Sequence, residues 1–261
     1  MTTPIDWVTE RRVVVKDDPP GVATVVANRL VSRLATWTGK GRVVHLALTG
    51  GSTGGATLRS VRDHAQRGDV DWSLVHFWWG DERFVPRDNP ERNALQAREA
   101  LLDHLEVPED HIHEMAATDD GLDLDAAAVA YAHELARFGT TAQPWPTFDI
   151  CLLGVGPDAH IASLFPDRPE ITITDAATAA VRDSPKPPSE RITLTRPVIN
   201  SSSRVWMALS GADKASALGL ALAGASYASV PAAGAKGRKR TVLFVDTAAA
   251  AQVPAELIDR D

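Results

Sequence analysis

The sequence VVHLALTGGSTGGATLRSVRDHAQ, residues 43–66, runs from an apolar segment through a glycine-rich turn into a segment with helical periodicity. Its first six residues have the continuous apolar character that is typical of a strand in a parallel sheet covered on both faces. Residues 49–55 contain four glycines, and residues 56–66 are predicted to form a helix. A strand, a tight turn and a helix in this order indicate an α/β fold.

The same alternation continues on both sides of this stretch. We predict further strands at residues 12–15, 74–79, 148–153, 191–195, 205–209 and 242–245. Helices are predicted at residues 21–37, 124–138 and 212–222. Another helix is expected to begin with Asn89 as N-cap and Pro90 in its first turn, and to extend to residue 104. The pattern predicts a Rossmann-like, mostly parallel sheet with helices on both faces.

One domain over residues 1–261 is expected, although the length alone also allows two small domains. The clearest loop is SPKPPS, residues 184–189, with three prolines. Because strands and helices resume directly after it, we interpret this loop as an insertion within the domain.

Composition narrows the class of protein. The hydrophobic fraction of 44% and the charged fraction of 23% are typical of globular proteins. No apolar run is long enough to span a membrane, and the N-terminal MTTPIDWVTE lacks the features of a secretory signal. The single cysteine, Cys151, is expected to be buried in a strand. These observations predict a cytoplasmic protein with no membrane contact.

The formal net charge is −7, whereas a protein that binds nucleic acid is usually basic. A nucleic-acid partner is therefore not expected. One basic cluster is predicted to be a solvated loop before a strand, with a rim that attracts anionic substrates as the alternative. It consists of Lys236, Arg238, Lys239 and Arg240.

Ligands bind open parallel sheets beyond the carboxyl ends of the strands, and the glycine-rich turn occupies such a place. Gly50, Gly51 and Ser52 are candidates for an anion site, because backbone N–H groups and a hydroxyl meet there at a helix N-terminus. A merely structural turn is the alternative. The turn matches neither a Walker motif nor a dinucleotide fingerprint.

Two other strand ends carry ionisable residues. Asp81 and Arg83 flank Glu82 after one buried strand, and a solvated turn held by ion pairs is the alternative interpretation there. Asp158 and His160 follow the strand at residues 148–153. A histidine is readily poised as a base near neutral pH, and a nearby aspartate can hold its tautomer. A histidine with a purely structural role is the alternative interpretation.

Two separated cations complete the candidate site. Arg191 begins a strand and Lys214 begins a helix. Each is interpreted either as an ordinary surface charge or, together with the glycine–serine turn, as a ligand of a phosphomonoester.

The other histidines are assigned no catalytic role. His45 and His76 are expected to be packed within strands, and His111 and His113 lack further neighbours at zinc-site spacing. No metal site is predicted.

Six segments carry a family resemblance: LALTGGSTG (46–54), WWGDERFVP (78–86), NALQAREALLDHL (93–105), FDICLLGVGPDAHIASLFP (148–166), RITLT (191–195) and SGADKA (210–215). With them the chain resembles the 6-phosphogluconolactonase family over nearly its whole length. The fourth segment is the most specific, and it departs from the family pattern by having Ala159 in place of a glycine. The resemblance implies a sugar-phosphate isomerase-like fold and a monomer or weak homodimer.

The resemblance also implies an activity, the hydrolysis of 6-phospho-D-glucono-1,5-lactone in the oxidative pentose phosphate pathway, without a cofactor. His160 is then the general base that takes a proton from water and returns it to the ring oxygen, and Asp158 orients it. Arg83 contacts the sugar-acid end and helps to stabilise the oxyanion. The implied substrate-binding residues are Gly50, Gly51, Ser52, Asp81, Arg83, Arg191 and Lys214.

Two other functions are weighed against this one. Glucosamine-6-phosphate deaminases are similar in the glycine–serine turn and the histidine turn, but they carry a glutamate five residues after the histidine, where this chain has Phe165. A sugar-phosphate sensor domain is usually joined to a helix-turn-helix segment, whereas only a short stretch precedes the first strand here. Lactone hydrolysis is therefore favoured.

Overall fold

A computed structural model describes residues 11–253 and residue 258. The strands within it are β1 (Arg11–Lys16), β2 (Val44–Leu48), β3 (Val75–Trp79), β4 (Asp81–Arg83), β5 (Ile150–Gly154), β6 (Thr178–Val181), β7 (Arg191–Leu194), β8 (Arg204–Leu209) and β9 (Arg240–Asp246). The α-helices are α1 (Pro19–Thr38), α2 (Gly51–Arg62), α3 (Asn93–Ala100), α4 (Leu124–Ala136), α5 (Arg196–Asn200), α6 (Ala215–Leu222) and α7 (Pro231–Gly234). Short 3₁₀ turns lie at Arg67–Asp69, Trp72–Leu74, Leu102–His104, Glu109–His111, Thr118–Asp120, Pro169–Thr172, Ala212–Lys214 and Ala249–Gln252.

Six strands form one sheet in the order β1-β9-β8-β5-β2-β3, and every neighbouring pair in it is parallel. Continuous apolar runs form these strands because both faces of the sheet are covered; all five residues of β3 are buried, for example. The predicted α/β class is confirmed. Since all six strands point the same way, their carboxyl ends lie along one edge.

A second, antiparallel sheet of three strands has the order β4-β7-β6. The strand predicted at residues 191–195 is present as β7, but it belongs to this sheet and not to the parallel one. The chain passes between the two sheets at Gly80, which donates its N–H to Leu48 O (2.9 Å) and accepts at its carbonyl from Leu194 N (2.8 Å). β4 therefore begins directly beside the carboxyl edge of the parallel sheet.

Most helices form where their sequence predicts them. In α1, the Asp18 side chain accepts from Gly21 N at 2.8 Å, and two prolines occupy the first turn. α2 begins at Gly51, within the segment that was expected to be a turn. The helix predicted at residues 212–222 is divided into a 3₁₀ turn, Ala212–Lys214, and α6.

The predicted start and end of α3 are wrong. Asn89 does not cap the helix; its side chain accepts from Glu91 N at 2.9 Å, and its carbonyl accepts from Arg92 N at 3.0 Å, which closes a turn before the helix. α3 begins at Asn93, where the Glu82 carboxylate accepts from the backbone N–H groups of Asn93 (2.7 Å) and Ala94 (2.8 Å). The cap thus comes from another element, and local sequence cannot show it.

One continuous apolar cluster joins the two sheets and their helices within residues 11–253. It supports our proposal that residues 1–261 form a single domain. In the described part of the chain, no helix combines the length and the hydropathy that a membrane span requires. The N-terminal residues 1–10, which we expect to lack a secretory signal, lie outside the described residues.

The basic cluster leads into β9, which begins at Arg240, and its other three members, Lys236, Arg238 and Lys239, are exposed. This confirms the predicted solvated loop. The alternative, a rim that attracts anionic substrates to the carboxyl ends of the strands, is wrong because the loop leads into the start of β9 and so lies at the opposite, amino edge of the parallel sheet.

Candidate active site

A cavity of about 240 Å³ opens at the carboxyl edge of the parallel sheet. Its wall includes the turns after β2 and β5, strands β4 and β7, the start of α3, the loop before β7 and the 3₁₀ turn before α6. Nearly all of the predicted site residues line it: Gly50, Gly51, Ser52, Asp81, Arg83, His160, Arg191 and Lys214. The remaining one, Asp158, is hydrogen-bonded to His160.

The glycine–serine turn forms the wall at the start of α2. Gly50 is the N-cap residue and offers no side-chain cap to the helix, so the first N–H groups of α2 are left to a ligand or to water. A Cβ at Gly50 would lie 1.8 Å from Asn93 Oδ1, and only glycine allows this approach. Thr49 Oγ1 accepts from Gly154 N at 3.1 Å and ties the turn to the end of β5.

His160 and Asp158 form a hydrogen-bonded pair, with His160 Nδ1 2.6 Å from Asp158 Oδ1. The pair packs on Gly156, where a Cβ would lie 2.1 Å from His160 Nδ1. Because Nδ1 donates to the carboxylate, Nε2 is the ring nitrogen that keeps an unshared electron pair. The arrangement gives the cavity a base with a fixed tautomer.

The pKa of Asp158 lies well below its ordinary value. Burial alone would raise it, but the hydrogen bond from His160 and the charges of His160 and Lys186 outweigh burial. Asp158 is therefore ionised and acts as an acceptor throughout the neutral pH range.

Ala159, which departs from the family pattern, adopts the conformation that a glycine would favour. Its φ is +66°, in the left-handed region that costs a non-glycine residue about 1–2 kcal/mol. Its N–H donates to Gly156 O at 2.9 Å and its carbonyl accepts from Ala232 N at 3.0 Å. The turn is therefore retained, and Asp158 and His160 remain paired across it.

The two acidic residues that follow β3, Asp81 and Glu82, make different contacts. Asp81 is 6% exposed and accepts from Ser163 Oγ at 2.6 Å, which holds its carboxylate at the cavity wall. Glu82 points to α3, and burial raises its pKa to about 7 against the opposing effects of Arg92 and three backbone N–H groups. Both residues are buried, so the solvated-turn interpretation is wrong.

Two arginines lie opposite each other at the cavity, because Arg83 in β4 pairs with Arg191 in β7. Arg191 is 4% exposed, so it is not an ordinary surface charge. Burial lowers its pKa, Asp81 opposes this, and Arg83 adds to it. Two like charges at directly opposed positions repel, and an anion between them would relieve this repulsion.

Lys214 lies in the 3₁₀ turn after β8, and its Nζ donates to Ser210 O at 3.1 Å. This contact anchors the ammonium at the carboxyl edge while it still lines the cavity.

Two lining residues, Asn93 and Lys186, were not predicted. Asn93 Nδ2 donates to Asp81 O at 2.8 Å, and its buried Oδ1 has no hydrogen-bond partner among the described residues. Lys186 Nζ lies 3.3 Å from both Asp158 Oδ1 and His160 Nδ1. The sequence signals for these two residues were the family segment that begins at Asn93 and the single cation within the proline-rich segment SPKPPS.

The other four histidines of interest meet at the amino edge of the sheet, away from the cavity. His76 stacks on His111 with ring centroids 3.8 Å apart, and its Nδ1 lies 2.9 Å from His113 Nε2. His45 accepts at Nδ1 from Trp78 Nε1 at 3.1 Å. Within residues 11–253 no group of three His, Cys, Asp or Glu side chains is placed to hold a metal ion.

Cys151 is fully buried in β5, as predicted. Burial raises the pKa of its thiol to about 12, so the thiol is neutral and does not act as a nucleophile.

Comparison with known proteins matches a family model described as "Glucosamine-6-phosphate isomerases/6-phosphogluconolactonase" to residues 17–244. A Streptomyces coelicolor protein named 6-phosphogluconolactonase is 44% identical over 250 residues, which cover 94% of this chain and 96% of the relative. A Mycobacterium tuberculosis protein of the same name is 50% identical over 211 residues, covering 80% of this chain and 85% of the relative.

A solved structure of a protein with the same name has a similar fold. The 6-phosphogluconolactonase from Trypanosoma brucei is 26% identical and superposes with a TM-score of 0.79, over 94% of this chain and all of that one. The resemblance predicted from the sequence motifs is thereby confirmed.

Proposed function

The chain belongs to the glucosamine-6-phosphate isomerase/6-phosphogluconolactonase family, and we propose that it hydrolyses 6-phospho-D-glucono-1,5-lactone to 6-phosphogluconate in the oxidative pentose phosphate pathway. The observation that carries the proposal is the His160–Asp158 pair at a cavity whose wall also holds Arg83, Arg191 and Lys214. A base beside three cations suits a substrate that is both an ester and a phosphate.

In the proposed reaction, His160 Nε2 removes a proton from a water molecule as the water oxygen attacks the lactone carbonyl carbon. The carbonyl electron pair moves to its oxygen and returns when the bond from that carbon to the ring oxygen breaks. The imidazolium then gives its proton to the ring oxygen, which leaves as a hydroxyl group. The carboxylic acid formed ionises in water. Asp158 keeps the imidazole oriented and stabilises the imidazolium.

The cations have separate proposed tasks. Arg83, with Asp81 beside it, contacts the sugar-acid end and stabilises the developing oxyanion. The N-terminus of α2, with Gly50, Gly51 and Ser52, holds the phosphate through N–H groups and a hydroxyl.

Lys214 and Arg191 add positive charge around the phosphate. Arg191 has less freedom in this role than a surface cation, because its Nε and Nη2 already donate to loop carbonyls.

Phe165 supports lactone hydrolysis over deamination. Its ring is 1% exposed and lies 4.7 Å from the His160 ring, centroid to centroid. Deaminases resembling this chain have a glutamate at this position to support ring opening and amine departure. An apolar ring beside the base supplies no such carboxylate. The absence of a cofactor and of a nucleic-acid partner, the cytoplasmic location and the monomeric or weakly dimeric state stay predictions.

The test is a rate comparison with two substrates. Purified protein is added to freshly prepared 6-phosphogluconolactone, and 6-phosphogluconate is measured by coupling to its dehydrogenase, with spontaneous hydrolysis subtracted. Glucosamine 6-phosphate is tested in parallel for ammonia release. We expect acceleration only with the lactone; no acceleration at micromolar enzyme, or ammonia release, would overturn the proposal.

A further inference from the structure

We propose that Lys186 is a positioning residue for His160: its ammonium fixes the Asp158 carboxylate and opposes protonation of the imidazole, so that His160 stays available as a base. The inference deepens the lactonase function proposed above and rests on it for its kinetic test.

The geometry brings three charged or ionisable groups to one point. Asp158 Oδ1 lies 2.6 Å from His160 Nδ1 and 3.3 Å from Lys186 Nζ. Lys186 Nζ is also 3.3 Å from His160 Nδ1. Because Nδ1 already donates its proton to the carboxylate, it offers no electron pair to the ammonium, and of these two neighbours of Lys186 Nζ Asp158 Oδ1 is the acceptor. Its positive charge therefore faces the imidazole without hydrogen bonding to it.

The backbone at Lys186 is held in place by Arg191. Arg191 is buried beneath the loop and donates to three consecutive loop carbonyls, at 3.0 Å to Lys186 O, 3.0 Å to Pro187 O and 3.1 Å to Pro188 O. One guanidinium with several donors in a rigid plane is suited to such a clamp. The backbone of Lys186 is thus held beside the base, and its side chain, which is 39% exposed, reaches Asp158 and His160 from there.

The electrostatic reason follows from the pair itself. A carboxylate beside a histidine favours the imidazolium, and a protonated His160 cannot accept a proton from water. Lys186 supplies the opposing positive charge. The other charged groups around the cavity are Asp81 and Arg83 from β4, Arg191 from β7 and Lys214 from the turn before α6. These groups are unchanged in a Lys186 variant, so the difference between the variant and the wild type measures the effect of the Lys186 charge.

The kinetic experiment compares Lys186→Met, which removes the charge, with Lys186→Arg, which keeps it. Lys239→Met is the matched control, because Lys239 is exposed in the basic loop at the opposite edge. In Lys186→Met the acid limb of the kcat/KM profile is expected to move up by about 0.5–1 pH unit. Activity then falls about three- to tenfold on the acid side and approaches that of the wild type on the alkaline side. Lys186→Arg is expected to restore the profile, and Lys239→Met to leave it unchanged.

Two kinetic outcomes would overturn the inference. A loss of equal size at every pH would mean that Lys186 only supports the loop. A rise in KM with no movement of the acid limb would mean that it contacts the substrate instead.

A second measurement does not depend on turnover. The ring of His160 is titrated by NMR in substrate-free wild type and Lys186→Met, with His160→Gln used to assign the signal. The midpoint of the His160 titration is expected to be about 0.5–1 pH unit higher in Lys186→Met than in the wild type. An unchanged midpoint would refute the inference. If the wild type fails to accelerate lactone hydrolysis, the proposed function fails, while the titration still decides the role of Lys186.

Discussion

Acidification from pH 7 to pH 5 is expected to destabilise the fold, and His76 accounts for a defined part of this loss. His76 is 7% exposed in β3, stacked on His111 and in contact with His113. Burial lowers its pKa to about 3, and His111, His45 and His113 add to the shift. In the unfolded chain the same side chain titrates near a pKa of about 6.5. As the pH falls, the unfolded state therefore takes up the proton first.

The magnitude follows from these two pKa values. The folded state stays unprotonated at His76 down to about pH 3, so the whole change between pH 7 and pH 5 arises from the unfolded state. Linkage then gives a loss of about 2 kcal/mol in the free energy of unfolding. The loss begins as the pH falls through the unfolded pKa and ends near the folded one.

Urea unfolding followed by tryptophan fluorescence measures this loss. The free energy of unfolding is compared at pH 7 and pH 5 for wild type and His76→Gln. His133→Gln is the control, because His133 is exposed on α4. The loss between the two pH values is expected to be about 2 kcal/mol smaller in His76→Gln and unchanged in the control. Any packing defect that His76→Gln introduces lowers the free energy of unfolding at both pH values, so it largely cancels in the difference between them. An equal loss in wild type and His76→Gln would refute the reasoning.

Three further substitutions test the cavity, each by steady-state lactone hydrolysis. Gly156→Ala is expected to lower kcat at least about tenfold, because its Cβ would lie 2.1 Å from His160 Nδ1 and 2.5 Å from Asp158 Oδ1; a kcat equal to that of the wild type would contradict this packing. Asp158→Asn is expected to lower kcat about a hundredfold or more by releasing the His160 tautomer, and full activity would show that the carboxylate does not orient the base. Lys214→Ala is expected to raise KM about tenfold with little change in kcat, whereas an unchanged KM would remove Lys214 from the substrate site.

The parallel sheet could be predicted from sequence because its signal is local. A strand covered on both faces is apolar at successive positions, as in residues 242–245, and no distant residue is needed to see this. β4 was missed since its three residues are polar and pair only with β7. The start of α3 was missed for a similar reason: Glu82 caps it from eleven residues away in sequence, as its contact with Asn93 shows.

The same distinction holds within the site. The turns at residues 49–55 and 154–160 were recognisable because the carboxyl ends of neighbouring parallel strands meet at one edge. Lys186 was not, because its contacts with His160 and Asp158 join residues that are 26 and 28 positions apart in the sequence. From its neighbours in the sequence alone, a charged residue in a proline-rich loop is predicted to be solvated.

The central claim, that His160 is the base of a lactone hydrolase, is tested most directly by one comparison of turnover. The rate of 6-phosphogluconolactone hydrolysis above the spontaneous rate is measured for wild type and His160→Gln, with His133→Gln as the control for histidine replacement. General base catalysis contributes about 10²- to 10⁴-fold, so kcat of His160→Gln is expected to fall by that factor, while inhibition by 6-phosphogluconate shows that the variant still binds ligand. A His160→Gln enzyme that retains turnover within about tenfold of the wild type would contradict the account.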